Sequence, residues 1–226
     1  MLLMENIEAA IFDLDGTVVD SNDVWLEAER LILEKNGITA PEEELSKFVL
    51  YTYEEIYPEM CKLGLTYDFD TFVSAMDEIA LSEYQNITLK EDIEKYIRIL
   101  RGLGIKTAVA TSSSRTLAEE VLRANGVSDL FDIILTTADT GIGKDDPDIY
   151  FRACESFGVP PDRAVVFEDR YTGIITAKNA GMKTVCVYDR YSQLDFFKAR
   201  NVADMYIYSF ADMLSEKKAS LLGDSE

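Results

Sequence analysis

The chain has 226 residues, 47% of them apolar and 11% aromatic, which is enough for a packed core and argues against wholesale disorder. Its 22 basic and 42 acidic residues leave a net charge of −20, a field that repels nucleic acid and anionic membrane surfaces and excludes both as partners. Three scattered cysteines (Cys61, Cys154, Cys186) and the absence of histidine exclude a Cys/His zinc site and fit a reducing cytoplasm, with Cys186 in an apolar run as a small core residue.

The N-terminus, Met1-Leu2-Leu3-Met4-Glu5, lacks the basic and long apolar regions of a signal peptide, and no stretch approaches the length of a membrane span. The first element is the run Ala9-Ala10-Ile11-Phe12, a buried strand stopped beyond by Gly16. It leads into Asp13-Leu14-Asp15-Gly16-Thr17. Strand alternation turns Asp13 and Asp15 the same way at the strand's carboxyl end. Two carboxylates so placed repel unless a shared proton or a cation compensates them. Oxygen ligands favour a hard cation, Mg2+ foremost. An EF-hand loop is excluded, because Val18 and Val24 stand where it needs Gly and Glu.

From Thr17 to Asn86 the pattern is helical, with expected helices over Asp20–Asn36, from Pro41 onward, over Tyr53–Leu63 and over Asp70–Gln85. This stretch holds 16 acids and 4 bases, more than half of the chain's charge excess, which marks it as a separate module inserted after the first strand.

Strands and helices then alternate. Helix 90–101 precedes strand Lys106–Ala110, and helix Arg115–Asn125 precedes strand Ile133–Leu135. Helix Asp148–Phe157 leads to strand Ala164–Phe167, and helix Thr172–Ala180 to strand Lys183–Val187. A weak strand, Met205–Ile207, and helix Phe210–Lys217 close the series, and the polar tail Ser215–Glu226 is expected to fray. Such alternation implies βαβ units in a parallel sheet, whose right-handed crossovers bring every strand's carboxyl end to one edge.

Each strand exit carries polar groups. Lys106–Ala110 exits into Thr111-Ser112-Ser113-Ser114, whose hydroxyls and N–H groups can cradle a phosphate or simply cap the next helix. After Ile133–Leu135 comes Gly143-Lys144, but Ala138 and Asp145 stand where a nucleotide P-loop needs Gly and Ser/Thr, so Lys144 is read instead as a held cation aimed at the site. Ala164–Phe167 exits into Glu168-Asp169, a helix-capping pair or, opposite Asp13, a ligand pair.

Together these segments resemble the haloacid dehalogenase superfamily of phosphotransferases, in its β-phosphoglucomutase-like and phosphoglycolate phosphatase-like subgroup. Asp13–Thr17 is similar to its first motif and Ala110-Thr111-Ser112 to its second. Gly143-Lys144 with Pro147-Asp148 is similar to the third, and Phe167-Glu168-Asp169 with Gly173-Ile174 to the fourth. Ala177–Met182 also matches, so the resemblance runs from Ile7 to about Val187.

The resemblance implies an α/β fold with a Rossmann-like three-layer core (residues 1–16 and 87–226) and an inserted all-helical type-1 cap (residues 17–86) that sets substrate specificity. It implies Asp13 as nucleophile and Asp15 as general acid/base. Thr111, Ser112 and Lys144 would bind the phosphoryl group. Mg2+ would be held by Asp13, Glu168, Asp169 and the backbone carbonyl of Asp15. The expected activity is hydrolysis of a small phosphate monoester, a sugar phosphate or similar metabolite, through an aspartyl-phosphate intermediate. A soluble cytoplasmic monomer or weak dimer is expected.

Retention of Asp15 argues against carbon–halogen and carbon–phosphorus cleavage, since members with those activities lack the second aspartate. A sugar phosphate mutase is the rival. Mutases of this kind carry a cap histidine twelve residues after the nucleophile, where this chain has Trp25. A third reading is a non-enzymatic acidic interaction module, which loss of Asp13, Asp15, Lys144 or Asp169 would have favoured. The aromatic loop Phe48–Tyr53, with Trp25, Tyr51 and Tyr53 as specificity candidates, is either bundle core or a wall facing a sugar, ring or apolar leaving group. Arg170 replaces the small residue usual after the Glu-Asp pair. It either pairs with an acid at the rim or reaches a substrate anion.

Overall fold

The structure is a computed structural model that describes residues 4–45, 48, 51–84 and 86–214. Six parallel strands form one sheet in the order β3-β2-β1-β4-β5-β6. They are β1 (Ala9–Phe12), β2 (Lys106–Thr111), β3 (Ile133–Thr136), β4 (Ala164–Glu168), β5 (Lys183–Val187) and β6 (Met205–Ile207). β1 lies at the centre, with Phe12 paired to Val109 on one side and Phe167 on the other. The strand order reverses at β1, so the residues just past its end face the crevice where open parallel sheets gather their chemistry.

Alternation in β1 builds the layers. Ala10 and Phe12 face one apolar cluster with Val109, Phe167 and the helices α5 (Ile93–Gly102) and α6 (Arg115–Ala124). Ala9 and Ile11 face the opposite cluster with Ala108, Val166 and helix α8 (Asp148–Phe157). Phe12 stacks on Phe167 with ring centroids 4.6 Å apart, and both side chains are fully buried. The result is the α/β, Rossmann-like three-layer fold with surrounding helices.

Between β1 and α5 the chain makes four helices: α1 (Asn22–Lys35), α2 (Glu42–Leu45), α3 (Tyr53–Leu63) and α4 (Phe69–Tyr84). They close over their own apolar cluster, which includes Ile32, Ile56, Met60, Phe72 and Met76. Thr52 starts α3 with a capping box, donating its backbone N–H to Glu55 and accepting that residue's N–H in return.

The two chain crossings that flank this segment lie side by side. Asp20 N–H donates to the Thr88 carbonyl (3.0 Å) and Lys90 N–H to that of Val18 (2.9 Å). The fully buried Asp189, just beyond β5, accepts from Asn22 Nδ2 (2.9 Å) and from Lys90 Nζ, which also lies 3.2 Å from Asp20.

Two short helices escape the sequence pattern. Helix α7 (Thr137–Thr140) is a single turn after β3, and helix α10 (Gln193–Ala199) follows β5 after helix α9 (Tyr171–Asn179). Neither has the length that makes periodicity visible. Helix α11 (Ala211–Leu214) covers the first part of the expected final helix; its remainder, the tail beyond it, Gln85, Val49 and Leu50 lie outside the described residues. Among the described residues, no helix is long and apolar enough to cross a membrane.

Candidate active site

The site begins where β1 ends. Asp13 N–H still donates to the Phe167 carbonyl (2.9 Å), but the chain then turns, with Val18 and Val19 N–H both donating to the Leu14 carbonyl. The turn gives Asp15 hydrogen-bond partners of its own, while its charge still acts on Asp13. Gly16 makes this turn at φ +84°, and a Cβ there would stand 2.6 Å from Asp169 Oδ2.

Asp13, Glu168 and Asp169 are all buried, and each offers an oxygen within 4.8 Å of the others. Lys144 reaches them from the loop before α8, donating to Asp13 Oδ1 and to Glu168 Oε2 (2.9 Å). That loop is fixed by turns: Asp146 N–H donates to the Gly143 carbonyl, and Asp148 N–H to Asp146 Oδ1. Gly173, at the start of α9, admits Glu168; a Cβ there would lie 2.6 Å from Glu168 Oε2.

One ammonium cannot neutralise three carboxylates. Burial, then Glu168, push the Asp13 carboxyl up to about 8 against the pull of Lys144. Burial, then Glu168 and Asp13, hold Asp169 well above the usual carboxylate range. Burial favours loss of the Lys144 proton, yet Asp13 and Glu168 outweigh it and hold that group above its ordinary value. Asp169 Oδ1 is buried without a hydrogen-bond partner among the described residues. An all-oxygen donor set with surplus negative charge and an orphaned carboxylate oxygen fits a hard divalent cation such as Mg2+.

Asp15 sits in a different environment. Its Oδ1 accepts from Ser21 Oγ (2.6 Å), Tyr84 OH (2.7 Å) and Trp25 Nε1 (3.3 Å), and its Oδ2 accepts from Ser113 Oγ (2.6 Å). Ser113 N–H donates in turn to Thr111 Oγ1 (3.0 Å). Ser114 caps α6 by accepting from Leu117 N–H (3.4 Å). The serine run thus divides: one hydroxyl caps, one holds Asp15, and Ser112 is exposed.

Of the remaining candidates, Trp25 packs edge-on against Tyr53 and Tyr84, with ring centroids 6.0 and 5.9 Å away. Tyr53 OH donates to Asp77 Oδ1 (2.5 Å). Tyr51 is exposed and contacts Phe48. Arg170 turns toward Asp195, Nε to Oδ2 3.9 Å, while its backbone N–H donates to Glu168 Oε1. Sequence reasoning missed Ser21, Asp77 and Tyr84, and named Ser113 only within its run. Ser21 reads as a helix cap and Tyr84 as the last apolar position of an amphipathic helix, so neither carried a signal.

The haloacid dehalogenase-like hydrolase family profile matches residues 10–187. Among curated proteins, the chain is 28% identical to validoxylamine A 7'-phosphate phosphatase of Streptomyces hygroscopicus subsp. limoneus over 77% of this chain and 83% of that one. It is 29% identical to the phosphorylated carbohydrates phosphatase of Thermotoga maritima over 79% and 84%. Among solved structures, CbbY from Rhodobacter sphaeroides in complex with phosphate superposes with a TM-score of 0.81 at 27% identity, covering 92% of this chain and 96% of that one.

Proposed function

The chain belongs to the haloacid dehalogenase-like hydrolase family and is a hydrolase of phosphate esters, and we propose that it is a Mg2+-dependent phosphatase of a small phosphate monoester, working through an aspartyl phosphate on Asp13. The cluster of Asp13, Lys144, Glu168 and Asp169 at the carboxyl edge of the sheet carries this reading. Asp13 is the nucleophile. Lys144 opposes the burial and the Glu168 charge that favour its protonation, and faces the charge of the incoming phosphoryl group. Asp13, Glu168 and Asp169 would hold Mg2+, which supplies charge stabilisation to the transferring phosphoryl oxygens.

Asp15 protonates the departing alkoxide and then takes a proton from the water that cleaves the acyl phosphate. Thr111 and Ser112 stand at the exit of β2, where the phosphoryl group would rest. Residues 17–86 act as a cap whose Trp25, Tyr53 and Asp77 line the leaving-group side. The relatives' names concern phosphorylated carbohydrates and a 7'-phosphate, which supports a sugar phosphate or similar substrate. The mutase reading is not favoured, because Trp25 donates its N–H to Asp15 and indole has no basic nitrogen to ready a sugar hydroxyl.

A panel of sugar phosphates assayed with Mg2+ and with EDTA tests the reading. Inorganic phosphate should appear only with the metal. Undiminished turnover in EDTA, or isomerised sugar phosphate without phosphate release, would count against it.

A further inference from the structure

Asp15 accepts four hydrogen bonds, and their distribution is uneven. Three donors converge on Oδ1 and one on Oδ2. A carboxylate oxygen has about two lone-pair directions, so three donors saturate Oδ1. One of the three, the Trp25 indole N–H, can only donate and cannot turn round to accept. Oδ1 therefore remains an acceptor in either charge state of the group. The Ser113 hydroxyl on Oδ2 can donate to the anion or accept from the acid, so it tolerates both forms.

From this we propose that Oδ2 is the oxygen of Asp15 that carries the exchangeable proton, and that Tyr84, with Ser21 and Trp25, is a positioning residue that fixes it by holding Oδ1. The inference rests on the phosphatase reading and adds the atom and the residues that aim it. In the first half-reaction the Oδ2 proton passes to the ester oxygen as its bond to phosphorus breaks and the Asp13–phosphorus bond forms. In the second, water gives a proton to Oδ2 as its oxygen bonds to phosphorus and the Asp13–phosphorus bond breaks, releasing phosphate.

Tyr84 is the most distant in sequence of the set. It is fully buried, it closes α4 69 residues along the chain from Asp15, and it bonds Oδ1 through an uncharged hydroxyl at 2.7 Å. The helical segment thus reaches the proton-transfer group with uncharged donors that do not compete with a phosphate for a counter-charge.

The test is a leaving-group series on the full-length protein with Mg2+, running from 4-nitrophenyl phosphate through phenyl phosphate to glycerol 1-phosphate. kcat/KM reports the step in which the leaving group departs. Protonation matters little for nitrophenolate and much for an alkoxide. Tyr84→Phe, which keeps the ring, should lose about 10-fold more kcat/KM on the alkyl ester than on the nitrophenyl ester. Ser21→Ala should shift the slope in the same direction, and it reads the same quantity should the tyrosine variant fail to fold. An equal loss across the series in both variants would overturn the proposal. A wild-type protein inactive on every ester would overturn the phosphatase reading itself.

Discussion

The sheet and the helical segment meet at the site with opposite materials. Strands β1 and β4 deliver buried carboxyl groups, Asp13 from the first and Glu168 and Asp169 from the second, and the loop before α8 adds the half-buried Lys144, while β2 exits into the hydroxyls of Thr111 and Ser113. What the helical segment and its entry strand deliver to Asp15 is neutral: two hydroxyls and an indole N–H. The sheet edge is a place of electrostatic tension, held together by one lysine among three acids. The Asp15 carboxylate is satisfied, with donors on both of its oxygens. A rigid sheet can bear the tension, since its exits are pinned by ladder hydrogen bonds and by packing on both faces. Hydroxyl and indole donors satisfy Asp15 without adding charge to the site.

The contrast is broken most severely at Asp13. Asp13→Asn should lower turnover by on the order of 10⁴-fold while leaving the melting temperature in EDTA unchanged or raised, because it removes one of three crowded carboxylates. Phosphate release and thermal melts measure the two effects, and a large loss of stability would mean that the crowding is not the tension described.

Lys144→Ala should do the reverse to stability. It strips the only cation contacting Asp13 and Glu168 among the described residues, so a loss of about 3 kcal/mol is expected in denaturant titrations without metal, with turnover also lost. A variant as stable as wild type would show that the acids accommodate each other by other means.

The smallest effect lies in the helical segment, at Glu29. This residue is 2% exposed, its Oε2 has no hydrogen-bond partner among the described residues, and burial pushes its carboxyl up to about 9. The folded state then binds a proton that the unfolded chain releases near 4.5, so stability is full below that value and falls as pH rises toward 9. Glu29→Gln should remove this slope and stabilise the protein by about 2 kcal/mol at pH 8, with little gain at pH 5. Melts at both values decide it; an equal shift at the two would show that Glu29 is not the titrating group.

The two regions also differed in how far the sequence disclosed them. The strands of the sheet stood out because each is an apolar run next to a turn, and Tyr53–Leu63, Asp148–Phe157 and Lys183–Val187 fell on the residues expected. The site residues at strand exits were legible for the same reason: topology alone sends Asp13, Thr111, Lys144 and Glu168 to one edge. Alternation placed Asp13 and Asp15 at the end of the strand, but it cannot foresee that a tight turn begins at Leu14 and sets Ser21 and Tyr84 against Asp15. Tyr84 and Asp77 were invisible because their partners lie 69 and 24 residues away and their local pattern is that of any amphipathic helix. Charge is written in short motifs, whereas a neutral donor becomes functional only through what folding sets beside it.

The paired crossings at Val18–Asp20 and Thr88–Lys90 bear on how such a chain diversifies. Because the chain leaves and returns through adjacent, hydrogen-bonded strands, with Val19 bridging Leu89, the intervening helices form a cassette whose two ends meet at a single point. The entropy of closing such a loop grows only with the logarithm of its length, so helices can be lengthened, shortened or exchanged at little cost to the sheet. The segment can thus be exchanged as a whole, while Asp189 keeps hold of Asn22 and Lys90 at the join.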